Sequence, residues 1–185
     1  MSHFEYVMVI VSIILGLGLT VILRGLARLA RGALPCAVVV IWGFLLLFLF
    51  LQNWWAFWDL AQVTQWTQPS FLFVALYCCI MYAMAELMLP IGATPETDWT
   101  AHFLSIRKWF FSLLSLLTVL AVLLTYTKLH VPLTHPYRSI QGFVLLLSIA
   151  GLSTTNMRVH LGIAVTIMSV LIVGQVLFRL VPGLA

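Results

Sequence analysis

Six apolar stretches, each long enough for a helix to cross a bilayer, run through the chain at 5–23, 35–58, 70–89, 108–127, 139–157 and 160–179. A hydrocarbon layer roughly 30 Å thick calls for about 20 apolar residues at about 1.5 Å of rise each. Inside it every backbone N–H and C=O must be paired within its own element, which a helix achieves alone. The pattern predicts an all-α, polytopic transmembrane bundle of about six spans, forming a single domain over 1–185. Composition agrees, with 63% apolar and 8% charged residues, where soluble domains carry roughly 45–50% and about 25%. The fifth stretch ends on a polar turn, STTN. Without it one of the last two apolar segments could not cross.

Six spans place both termini on one side of the membrane. The connectors after spans 1, 3 and 5 hold Arg24, Arg28, Arg31, Arg107, Lys108 and Arg158, and the opposite side holds Lys128, Arg138 and Arg179. Basic residues are retained on the cytoplasmic side, so the N-terminus, the 59–69 and 128–138 loops and the C-terminus are expected outside. Trp54, Trp55 and Trp58 in LQNWWAFW then fall at the outer headgroup level as an aromatic anchor. The first apolar stretch follows Glu5 and precedes its positive charges, the reverse of a secretory signal, and is expected to stay in the mature protein.

The first span continues into LRGLARLARG. Arg24, Arg28 and Arg31 share one helical face at i, i+4, i+7, which predicts a helix running through the inner interface to Gly32, with Pro35 opening the next span. The three arginines are expected to contact lipid phosphates. Gly18, Gly25 and Gly32 recur every seven residues and drift only about 20° per heptad. They line a second face where another backbone can approach, and Ser12 with Gly16 adds a small-xxx-small step. The partner at that face is either another span of this chain or a second copy.

The run FEYVMVIVSIILGLGLTVILRGLARL at 4–29, followed by LQNWWAFW and a third span ending AELMLP, resembles a group of small, uncharacterised multi-spanning bacterial proteins. The resemblance covers about the first half of the chain. It implies a bacterial inner-membrane setting and brings no activity.

Charges and motifs narrow the chemistry. No Asp, Glu, Lys, Arg or His falls at the centre of a predicted span, which argues against a proton pump or voltage sensor. All seven prolines lie at span ends or in loops, whereas transporters with midplane sites break their helices there. Cys36, Cys78 and Cys79 are too few and too badly spaced for a disulfide framework or a zinc site and are read as packing residues. His3, His130 and His135 are expected in outer loops, and His102 and His160 in inner ones, all solvated. No H-x-x-x-H spacing, phosphate loop or nucleophile elbow is present, so no metal or cofactor is assigned and an enzyme is disfavoured. Scattered basic residues at span ends also disfavour nucleic acid.

Two local features stand out. Gln52 precedes Trp55 by three residues and Asp59 by seven, so on a continuous helix the three share a face, giving a polar strip that could border a small outward cavity. In the 93–111 connector, Thr97 or Asp98 can cap a short helix whose Trp99, Phe103 and Ile106 form one face. That helix is expected to lie in the interface, where it offers a docking surface. The reading that follows is a membrane scaffold or accessory subunit that packs against lipid and against itself or another membrane subunit. The alternative is a channel or transporter for a small uncharged substrate through the Gln52 to Asp59 strip, and a third reading is an interfacial metal or haem enzyme.

Overall fold

The computed structural model describes residues 3–31, 36–63, 65–94 and 96–176. They form six helices and, among the described residues, no strand: α1 His3–Arg31, α2 Ala37–Ala56, α3 Gln68–Met88, α4 Trp99–Thr127, α5 Tyr137–Ser153 and α6 Met157–Gln175. A 3-10 turn, Phe57–Gln62, extends α2. Gly32, Pro35 and Arg179, to which the sequence assigns a helix stop, a helix start and an outer charge, lie outside the described residues.

Helix starts follow local capping chemistry, in which a side-chain oxygen accepts a first-turn N–H that has no intrahelical partner. The Thr67 hydroxyl accepts from the Ser70 N–H, with Pro69 in the first turn of α3. The Asp98 carboxylate accepts from Thr100 and Ala101 at 2.9 and 3.0 Å. Asn156 accepts from the Arg158 N–H at 2.9 Å.

These caps explain two departures from expectation. No glycine or proline interrupts 99–127, so the helix capped by Asp98 runs on without a break. The expected interfacial helix is the first two turns of α4, and Phe103 lies in the core instead of on a docking face. Asn156 starts α6 at Met157, earlier than the sequence suggests, and shortens α5 to 17 residues. Five helices are long and apolar enough to cross a membrane. At about 1.5 Å per residue, α5 spans about 25 Å, a few ångströms less than a full hydrocarbon layer.

Each helix packs against two neighbours in the closed order α1, α3, α4, α5, α6, α2 and back to α1, with a further α2 to α3 contact across the ring. Only 33–44% of the most apolar window of each long helix is buried. The remainder presents Ile13, Leu17, Phe44, Leu72 and Leu76 outward, as α5 does with Leu146. A surface as apolar as the core requires lipid around it. The chain is a multi-pass helical membrane protein.

The glycine face of α1 packs inside this ring. A Cβ on Gly18 would run into the Phe50 ring of α2, and one on Gly25 would lie 2.5 Å from the Cβ of Leu89, just past the end of α3. A Cβ on Gly16 would meet nothing within 4 Å, so Gly16 takes no part in this contact. We expect Gly18→Ile and Gly25→Ile each to lower the melting temperature in detergent, at a cost of about 1–3 kcal/mol from overpacking, and Gly16→Ile to melt like the parent. Equal melting of all three variants would refute close packing at that face.

Candidate functional site

One end of the ring holds the α2–α3 and α4–α5 connections, and there the helices do not fill the space between them. A partly open cavity of about 540 Å³ lies among α2, α4, α5 and α6, within the range of roughly 300–1,000 Å³ common for small-molecule sites. Its apolar wall comes from residues such as Leu117, Ala121, Ile140 and Leu171, and its floor from Leu114, Val144 and Ile167. Leu129, Val131 and His135 of the α4–α5 connection form part of the rim. That connection turns sharply at His130, whose φ of 53° is left-handed, and the Val131 N–H returns to the Thr125 carbonyl at 3.0 Å.

All three residues of the predicted polar strip, Gln52, Trp55 and Asp59, line this cavity. They do so although the spacing argument fails in detail, because α2 tightens into a 3-10 turn at Phe57 and Asp59 no longer follows the α-helical register. Trp55 and Trp58 stand mostly exposed around the same end, where amphipathic rings suit a headgroup layer. The Gln52 Oε1 is buried and accepts no hydrogen bond. Next to it, Asn53 accepts from the Tyr77 hydroxyl at 2.8 Å and donates to the Leu49 carbonyl at 2.8 Å.

A second polar group closes the α4–α5 side. Arg138 donates to the Thr125 hydroxyl at 2.6 Å, to Gln141 Oε1 at 2.8 Å and to the Val131 carbonyl at 2.8 Å. Sequence reasoning missed Tyr77 and Gln141 as cavity residues. Gln141, in the first turn of an apolar helix, was the available signal, since an amide there needs a partner.

Below the floor, packed aromatic rings fill the inside of the ring. Trp42, Phe103, Phe110 and Phe111 are all completely buried. Trp42 meets Phe110 and Phe111 edge-on at centroid distances of 4.8 and 5.5 Å. His160 joins this cluster with 0% exposure, stacked on Phe111 at 5.4 Å and edge-on to Phe103 at 4.9 Å. The sequence places it in a solvated loop. The early start of α6 instead turns it into the ring, where Nε2 donates to the Thr154 carbonyl at 3.0 Å. Cavity and aromatic layer together make a chamber open toward one end and shut toward the other.

The arginine end is built differently. Arg28 donates to the carbonyls of Leu89 and Pro90, at 3.3 and 2.8 Å, and to that of Ile91, and so ties α1 to the turn after α3. Glu86 Oε1 accepts from the Ile91 N–H at 3.2 Å in the same turn. His102 reaches the Leu87 carbonyl at 3.0 Å. Arg24 and Arg31 are exposed. Asp98 caps α4, and among the described residues no group of three or more His, Cys, Asp or Glu side chains is placed to hold a metal ion.

Compared with known proteins, the chain matches no family model, no curated protein and no solved structure.

If the chamber takes up water-sized solutes, a cysteine at Ala121 on its wall should react with a small water-soluble thiol reagent in a protein freed of its native cysteines. One at Ala164, completely buried beside the aromatic layer, should not. Equal protection of both positions would show that the chamber is sealed.

Proposed function

We propose that the protein is a membrane-embedded carrier for a small uncharged molecule, taken into the ring chamber from the end that carries the 3-10 turn. The observation that carries this reading is the 540 Å³ cavity, mainly apolar with a few hydrogen-bonding groups, closed on one side by packed aromatic rings. Apolar walls with few polar groups favour a neutral, amphipathic occupant, because a bare ion would find no counter-charge at the floor. An alternating carrier needs one end shut while the other is open, and the aromatic layer supplies the shut end.

The proposed setting is a bacterial inner membrane with six crossings and both termini outside. It rests on the six-to-three distribution of basic residues. In that orientation the chamber opens outward and the Arg24 to Arg31 end faces the cytoplasm. An exposed cysteine at Thr134 should label with an impermeant maleimide in cells whose periplasm is accessible, and one at Thr100 should not. The opposite result would reverse the orientation, and labelling of both would remove one crossing.

The carrier reading is tested by melting the purified protein in a graded set of uncharged alcohols, from glycerol to octanol, beside an Ala121→Trp variant that fills the chamber. At least one alcohol should raise the melting temperature of the parent and leave the variant unmoved. If parent and variant respond alike to every alcohol, the cavity is a packing defect. The scaffold or accessory-subunit role, in which the bundle packs against itself or another membrane subunit, then takes its place.

A further inference from the structure

The lipid-facing side of α1 carries a stripe at alternating spacings of four and three: Ile13, Leu17, Thr20, Arg24, Ala27 and Arg31. Ile13 and Leu17 are each 57% exposed. The exposed Thr20 hydroxyl donates to the Gly16 carbonyl at 2.8 Å, so it can face lipid without an unpaired polar group. Beyond it, Arg24, Arg28 and Arg31 line a cleft of about 240 Å³ with Ala27 and Ile91.

Three guanidinium groups on one helix face repel one another unless an anion lies between them. Among the described residues none of the three makes a hydrogen bond to a carboxylate; the one carboxylate in the same turn, Glu86, accepts from the Ile91 N–H through Oε1 and holds Oε2 buried without a partner, so it offers at most one negative charge to three guanidinium groups. Arg28 is held by neutral carbonyls, which fix its position. Arg31 uses only its Nε, on the Ala27 carbonyl at 3.1 Å. Its two terminal nitrogens remain in the planar fork that suits a phosphate.

We propose that this cleft binds the phosphate of an anionic phospholipid, with an acyl chain along Leu17 and Ile13. The seven residues from Leu17 to Arg24 span about 10 Å of helix axis, which sets the phosphate at the cleft while the chain lies on the apolar part of the same stripe. A free phosphate ion would meet the same three arginines but would leave that apolar stripe without a role. The site is separate from the ring chamber and does not depend on the carrier reading.

The test compares the parent with an Arg24→Gln/Arg31→Gln double variant, which leaves the Arg28 tie to the α3–α4 turn intact. Lipid retained after extraction from membranes of phosphatidylcholine and phosphatidylglycerol is counted by native mass spectrometry. The parent should keep phosphatidylglycerol in preference. The double variant should lose that preference by roughly five-fold per arginine, about twenty-five-fold in all, and both should melt alike in phosphatidylcholine alone. Unchanged preference in the double variant overturns the site. Inorganic phosphate that protects the parent in phosphatidylcholine as fully as phosphatidylglycerol does overturns the lipid occupant and assigns the cleft to a free ion.

Discussion

Lipid does not distinguish one apolar helix face from another, so in this chain the fit of side chains against backbone decides which faces meet. The α1 glycines are where that fit is tightest. Gly18 accepts the Phe50 ring and Gly25 accepts Leu89, so one helix holds α2 at one level and the end of α3 at another. The same device recurs on the far side of the ring, where Gly151 of α5 receives Phe111 with ring carbons 2.6–2.8 Å from the position of an added Cβ. Phe111 is in turn the ring on which both Trp42 and His160 rest. The glycines thus set the distances at which the aromatic layer can close.

Polar groups play a complementary part, and they act at the ends. Within the spans, Ser115, Thr118, Thr125 and Ser148 donate to carbonyls four residues back in their own helices, at 2.8–2.9 Å. They satisfy themselves and leave little to hold neighbours together. Most bonds between helices come from long side chains near the helix ends: Lys128 to Ser70 at 2.5 Å, Arg138 to Thr125, His102 to Leu87 and Arg28 to the 89–91 turn, while Tyr77 reaches Asn53 from the middle of α3. Such bonds average about 0.6 kcal/mol in membrane proteins. They fix where helix ends sit more than they stabilise the bundle, and packing carries the middle.

The fold class was legible because its cause is local: runs of apolar residues, bounded by charges and prolines, permit few other structures in a chain this apolar. The glycine face was legible for the same reason, since a heptad is a property of one helix. Which helix filled it was not, because Phe50 and Leu89 reach α1 only through the ring order. The cavity strip was found with an imperfect argument: Gln52, Trp55 and Asp59 do meet at the chamber, yet the 3-10 turn at Phe57 alters the register that joined them. His160 was misplaced because the Asn156 cap starts α6 three residues early, and Phe103 because the helix that Asp98 caps, expected to be short and interfacial, runs on unbroken as the fourth span. In both cases a residue expected at the membrane surface lies in the core.

The two ends of the ring now differ for a physical reason. Toward the arginine end the helices are tied by carbonyl-bonded side chains, and four fully buried aromatic residues fill the inside of the ring. At the other end α2 tightens into a 3-10 turn and α5 begins only at Tyr137, after the rim of the α4–α5 connection. A ring of six helices leaves more room at its axis than a four-helix bundle, and that room must be filled by large side chains or remain as a cavity. Trp42, Phe110 and Phe111 fill it on one level. From the next turn of α4 onward, Leu114, Leu117 and Ala121 are smaller than the rings before them, and the volume that Trp42, Phe110 and Phe111 occupy on their level is left as the floor and wall of the chamber.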